Sequence, residues 1–299
     1  MTYVIAGATG HIGGAIARSL LSQGHRVRGI GREPERLRSL VELGAESAHG
    51  DLGDAVFLTT ALRGATAVFL LVPPNFRTPD FRAYQNAVGA SLASSLTAAG
   101  LPPTVFLSSI GAHQSYDVGP VSGLHDVEQR LNALSGMRVL HLRPGYFFEN
   151  LLNNLDVIRR KGINGTPCRG DAPIPMIGTA DIAAVAVRYL LTPSFAGVSF
   201  KELQGPRDYT MVEATKILGA AIGKPDLAYV QFPEDAAVQA MISAGLTPDL
   251  AALYVELYRL ANRNGRWATA VPRSPTTPTP TTLEHWAATD FAAAWRASA

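Results

Sequence analysis

A single cysteine, Cys168, in 299 residues leaves no partner for an intramolecular disulfide and no thiol set for a zinc site. Charge of one sign is also missing: 26 Lys and Arg stand against 24 Asp and Glu. The net charge of +2 is too near neutral to argue for a nucleic-acid or membrane surface. No apolar run approaches the ~20 residues that span a bilayer. There is no Gly-x-Ser-x-Gly elbow and no His/Glu pair at metal-binding spacing, so hydrolytic and metal-dependent chemistry find no support and no metal is expected. The first strand starts at the N-terminus and leaves no room for a signal peptide, so the expectation is a soluble, cytoplasmic chain. With 47% hydrophobic and 17% charged residues it has globular composition, and its length suits one large or two intimately joined domains.

Glycine is abundant, with 28 residues, and three of them carry the strongest signal. Val4-Ile5-Ala6 reads as a strand running into Gly7-Ala8-Thr9-Gly10-His11-Ile12-Gly13, and the apolar-periodic stretch Ala15–Leu21 reads as a helix. Strand, glycine turn and helix in that order are what a dinucleotide pyrophosphate needs. Gly7 permits the turn, Gly10 admits the phosphates, and Gly13 lets the helix pack on its strand with its N-terminus facing the anion.

Further strands are predicted at Arg26–Ile30, Ser47–Gly50, Ala67–Val72, Val105–Ser108 and Arg138–Leu142. Helices are predicted between them at Pro34–Leu43, at Asp80–Ala99 closed by Gly100, and at Leu124–Leu134. This alternation implies an α/β fold: a Rossmann, doubly wound parallel sheet. The second half reads differently. Asn150–Arg160 is a predicted helix, followed by a loop with Pro167, Pro173 and Pro175. Thr179-Ala180-Asp181 reads as a cap for a helix through Leu191, and Val198–Leu203 as a strand. Glu213–Ile222, Ala236–Ala244 and Pro248–Asn262 read as helices, the last with Thr247 as cap. Pro272–Thr282 is Pro/Thr-rich and expected to be extended, and a closing helix repeats Leu283, Ala287, Phe291 and Ala294. The expected division is a cofactor domain over 1–150, with 176–204 contributing a further helix and strand. Residues 151–175 and 205–299 would form a smaller, mostly helical substrate lobe, with the cleft between them as the ligand site.

The end of the second strand distinguishes the nicotinamide cofactors, and here Gly31-Arg32 has no acid at the strand end itself. Arg32 and, one turn on, Arg36 favour the 2′-phosphate of NADP(H). Both can equally be solvated helix charges that Glu33 partly neutralises. Asp51, followed by Leu52, stands where a carboxylate accepts from the adenine amino group or caps a helix.

The glycine segment, Asp51-Leu52, Leu107-Ser108-Ser109, Leu142-Arg143-Pro144-Gly145-Tyr146-Phe147-Phe148-Glu149-Asn150 and Thr179-Ala180-Asp181-Ile182-Ala183 together resemble the NmrA-like atypical short-chain dehydrogenase/reductases. The resemblance runs from residue 3 to about 190. Members of that family include NADPH-dependent quinone reductases, dye and azo reductases, and catalytically silent proteins that sense NADP redox state. The resemblance implies that Gly7, Thr9, Gly10, His11 and Ile12 hold the pyrophosphate and Arg32 the 2′-phosphate. It places Val72 and Pro73 at the nicotinamide ribose and Ser108 and Ser109 beside the nicotinamide. Pro144, Tyr146 and Phe147 would wall its ring. One departure matters: the classical tyrosine and lysine positions fall on Pro120 and Leu124, neither of which donates a proton.

Hydride transfer needs mainly proximity and orientation, so a quinone, azo dye, enone or carbonyl can be reduced without that dyad, its proton coming from water. If a protein acid exists, His125 is the first candidate, because a glycine-bounded loop carries it into a helix at the expected active-site face. A purely structural histidine is the alternative. Tyr146 is a second candidate donor, with packing beside the nicotinamide its other role. His113 and Tyr116 read as loop surface, Asn150 as a substrate donor or a cap, and Cys168 as incidental. Tyr254, Leu257 and Tyr258 form an aromatic stripe at helical spacing, either core or cleft wall. The leading expectation is an NADPH-dependent reductase of a small electrophile, acting as a monomer or homodimer without nucleic-acid or membrane partners. The rival is a silent NADP(H)-sensing regulator with a protein partner, and the developed second lobe favours the enzyme.

Overall fold

Buried, β-branched stretches and amphipathic helices alternate through the first half of the computed structural model, which describes residues 1–264, 267, 269–274 and 279–297. In chain order these are β1 (Thr2–Ala6), α1 (His11–Ser22), β2 (Arg26–Gly31), α2 (Pro34–Glu42), β3 (Glu46–His49) and α3 (Ala55–Leu62), then β4 (Ala65–Leu71), α4 (Phe81–Ala98), β5 (Thr104–Leu107), α5 (Val121–Asn132) and β6 (Val139–Pro144). The second half contributes β7 (Tyr146–Phe147), α6 (Leu155–Lys161), β8 (Ile163–Thr166), β9 (Ile174–Ile177), α7 (Thr179–Leu191), β10 (Val198–Leu203) and β11 (Asp208–Tyr209). It continues with α8 (Met211–Ala221), β12 (Ala228–Gln231), α9 (Glu234–Ser243), α10 (Pro248–Asn264), α11 (Leu283–Trp286) and α12 (Ala292–Ala297).

Seven strands form one parallel sheet in the order β10-β6-β5-β4-β1-β2-β3. The order reverses beside β1, which pairs with β2 on one side and with β4 on the other. Period-two alternation sorts the strand residues between two faces. Tyr3, Ile5, Phe69 and Leu142 pack with Ile16 and Leu20 of α1, Leu37 of α2 and Ile182 of α7. Val4, Val68, Leu70 and Phe106 pack with Leu58 of α3, Leu92 of α4 and Val127 of α5. This is the expected doubly wound sheet, with β10 and α7 added from the second half.

The remaining chain builds its own core, in which Phe148, Ile174, Met176, Tyr209, Leu218, Trp286 and Phe291 are buried together. Two small sheets serve it, β11-β9-β7 and β12-β8. The proline-bearing loop predicted before residue 176 therefore contains strands, and Pro175 lies inside β9 opposite Asp208. The predicted helix Asn150–Arg160 is a 3-10 segment, Phe148–Asn154, followed by α6. The predicted cap at Thr179 is also corrected. Gly178 is the N-cap and offers no side chain, and Glu149 accepts from Thr179 N at 3.0 Å and from its Oγ1 at 2.6 Å. Asp181 instead accepts from Thr281 N and Oγ1, at 2.9 and 2.8 Å. α5 starts at Val121, three residues before the predicted start, because Pro120 has the φ of −65° that a helix entry needs. Leu283, Ala287 and Phe291 are all buried, as their spacing predicts, but the turn Ala287–Phe291 is a π-helix. Of the stretch Pro272–Thr282, residues 275–278 lie outside the described residues.

Candidate active site

The carboxyl ends of β1 and β4 meet at the point where the strand order reverses, the usual ligand crevice of such a sheet. Gly7 leaves β1 with φ of +62°, a conformation that suits glycine, and its carbonyl accepts from Gly10 N at 2.9 Å. A Cβ on Gly13 would stand 2.3 Å from Gly7 O, so only glycine lets α1 approach the strand this closely. Gly10 caps α1 without a side-chain bond, which leaves the amides of the first turn open to an anion. This turn fits a pyrophosphate: it has the open donors and no side chain to obstruct them.

The glycine turn is tied to β2 by Ala8 N donating to Ile30 O at 3.1 Å, which brings Arg32 to the same crevice. Arg32 is exposed and makes no ion pair or side-chain hydrogen bond among the described residues. Arg36 donates to Thr9 O at 3.3 Å and lies 3.8 Å from Glu33, so it is anchored on the turn and partly neutralised. Asp51 Oδ1 accepts from Gly53 N at 2.7 Å in a local turn. The cap of α3 is Asp54, which accepts from Val56 N and Phe57 N. Asp51 is therefore not the helix cap; it is an exposed carboxylate beside the buried Leu52.

At the other end of the crevice, Val72 and Pro73 follow β4 half-buried. The Tyr84 hydroxyl donates to Pro73 O at 3.0 Å. Burial pushes the Tyr84 phenol up, the Asp51 carboxylate adds to this and the Arg32 guanidinium opposes it. That anchor had no sequence signal, since it depends on a contact between the start of α4 and the preceding loop. Ser108 follows β5, held by its own N–H on Leu142 O at 2.8 Å, and its buried hydroxyl has no partner. Ser109 donates to Ile110 O at 3.1 Å. Pro144 is buried at the end of β6, and Tyr146 and Phe147 in β7 pair with Met176 and Ile177 of β9. Beneath them the buried Arg143 donates from Nε to Glu128 at 2.9 Å and from Nη2 to its second oxygen.

His125, in the first turns of α5, has Nδ1 2.9 Å from Ala112 O. A carbonyl only accepts, so Nδ1 carries the proton and Nε2 is the nitrogen left to exchange one. Burial pushes the Tyr146 phenol well above its ordinary range, and a side-chain hydrogen bond from Tyr258 acts in the opposite sense. Tyr146 is therefore a neutral wall and a reluctant acid. His113 and Tyr116 are exposed, and Asn150 is half-buried. Burial pushes the Cys168 thiol up to about 12, which suppresses its nucleophilicity.

α10 is tied to the loops at the sheet's carboxyl end through carboxylates on main-chain donors. Glu256 accepts from Gly119 N at 3.0 Å and Asp249 from Phe81 N at 2.8 Å, which fastens the loops after β5 and β4 to the second core. No local signal in the sequence singles out either acid. Leu257 and Tyr258 of the same helix, from the predicted stripe, pack against that core. Among the described residues, no three His, Cys, Asp or Glu side chains could hold a metal ion, and no helix is long and apolar enough to cross a membrane.

A family model described as the NmrA-like family matches residues 1–287. A curated NAD(P)H azoreductase of Xenophilus azovorans is 32% identical over 86% of this chain and 86% of that protein. A (4-alkanoyl-5-oxo-2,5-dihydrofuran-3-yl)methyl phosphate reductase of Streptomyces griseus is 30% identical over 90% of each. Among solved structures, the NADPH-dependent quinone oxidoreductase of Escherichia coli complexed with NADPH superimposes with a TM-score of 0.80 at 25% identity, over 96% of this chain and 98% of that one.

Proposed function

The chain belongs to the NmrA-like family and is an oxidoreductase that uses NADP(H), and from that premise we propose that it reduces a small conjugated electrophile. The class comprises quinones, azo compounds, enones and activated carbonyls. The observation that carries this reading is the open glycine turn at the β1–β4 crevice, with Tyr146 and Phe147 packed on apolar cores just past the carboxyl end of β6. The azo and quinone substrates named for the relatives and the conjugated lactone of the Streptomyces reductase share this electrophilic character.

In this assignment residues 1–150, with 176–204, form the cofactor domain, and 151–175 with 205–299 the substrate lobe. Gly7, Thr9, Gly10, His11 and Ile12 hold the pyrophosphate, Arg32 and Arg36 the 2′-phosphate, and Asp51 and Leu52 border the adenine. Val72 and Pro73 line the nicotinamide ribose, Ser108 and Ser109 the ring edge, and Pro144, Tyr146 and Phe147 its face. Bound NADPH supplies a hydride, and the acceptor gains that hydride and one proton. Pro120 and Leu124 occupy the positions where a classical tyrosine and lysine would stand, so the proton comes from water or from His125. With Nδ1–H fixed on Ala112 O, a protonated His125 presents Nε2–H as its free donor. The test is anaerobic NADPH oxidation with 1,4-naphthoquinone by the wild type and His125→Ala. The expected result is turnover slowed about tenfold or more in the variant with NADPH affinity retained. Unchanged turnover would leave water as the donor.

A further inference from the structure

Three aromatic side chains, one from β7 and two from α10 and the segment after it, meet where α10 approaches β7. Tyr146 of β7 and Tyr258 of α10 each meet the indole of Trp267 edge-on, with centroids 5.9 and 6.4 Å apart and planes at 68° and 87°. Ile110 and Leu257 pack in the same core, and Tyr254 lies within electrostatic reach of both phenols. The phenols of Tyr146 and Tyr258 lie within interaction range of one another. The indole Nε1 has no hydrogen-bond partner among the described residues, and Trp267 is only 7% exposed.

An indole N–H can only donate, and leaving it buried and unpaired is costly. Tyr146 sits two residues past the carboxyl end of β6, so the Trp267 ring that meets it edge-on adjoins the end of the crevice where reduction is assigned. We propose that Trp267 is a specificity residue whose Nε1–H donates to an acceptor atom of a planar aromatic substrate held against Tyr146, Tyr254 and Tyr258. The inference rests on the reductase reading for the position of the reacting end. A flat conjugated ring gains edge and face contacts from these side chains. A neutral ring suits the box, because its side chains carry no charge to pair with an ion. An oxygen or azo nitrogen on that ring supplies the partner the indole lacks. A compound without an acceptor leaves the donor unpaired and is disfavoured for that reason.

The experiment measures binding of 1,4-naphthoquinone and of naphthalene to the NADP⁺-loaded protein by calorimetry, in the wild type and in Trp267→Phe. Both compounds lose the same ring contact in the variant, and only the quinone loses a hydrogen bond. The quinone is expected to weaken roughly tenfold more than naphthalene, with NADP⁺ affinity unchanged. In the wild type labelled at its indole nitrogens, the Trp267 Nε1–H resonance should move on adding the quinone and stay in place with naphthalene. Equal losses for the two compounds, no loss for either, an unmoved resonance or a wild type that binds no quinone overturns the assignment. Turnover is not read in either measurement. A protein that binds the quinone in this way without reducing it would contradict the reductase proposal and leave this one standing.

Discussion

Arg32 stands at the end of β2 with no ion pair among the described residues, while its neighbour Arg36 shares charge with Glu33. A guanidinium left free at that point is available to a dianionic phosphate at full strength. Arg32→Ala is expected to weaken NADPH binding by roughly ten- to a hundredfold and NADH binding little, the loss of charge-assisted hydrogen bonds to a single phosphate. Titrating both cofactors into the variant checks this, and equal losses would remove Arg32 from the 2′-phosphate. At this scale the glycines were readable in the sequence, because turn conformation and close packing restrict a position to glycine through local geometry. Trp267, Tyr84 and Glu256 were not. Their roles come from partners 9 to 137 residues away, and no local pattern encodes those meetings.

At the scale of elements, α7 shows how a helix of the sheet depends on the chain beyond it. Its N-terminus lacks a side-chain cap, and Glu149, from the 3-10 segment after β7, supplies the acceptor and a favourable negative charge. Glu149→Ala should lower the stability of the protein by about 1–2 kcal/mol. Urea unfolding with an unchanged slope would register that loss, and an unaltered midpoint would show the cap to be dispensable. The sequence cue at Thr179 pointed to the right boundary and the wrong acceptor, because the residue that bonds Thr179 lies 30 positions earlier. Long buried strands and periodic helices were legible. β7 and β11, with two residues each, and β9 with its internal proline, are too short to show a period.

Across the whole molecule, the sheet brings the carboxyl ends of its seven parallel strands to one side, and α10 closes the second core onto the loops that follow β4 and β5. The first half of this arrangement follows from the alternation of strands and helices. The closure depends on Glu256 reaching Gly119 and Asp249 reaching Phe81. Under the proposed function, such a fold would set cofactor and acceptor side by side and rely on proximity, with no tyrosine–lysine pair at Pro120 and Leu124. The most direct measurement is anaerobic: purified protein, NADPH, and one quinone, one azo dye, one enone and one aldehyde, following the loss of reduced-nicotinamide absorbance. Catalytic turnover of at least one conjugated acceptor is expected, with one NADPH consumed per acceptor reduced. Tight NADPH binding with no turnover of any of the four would contradict it.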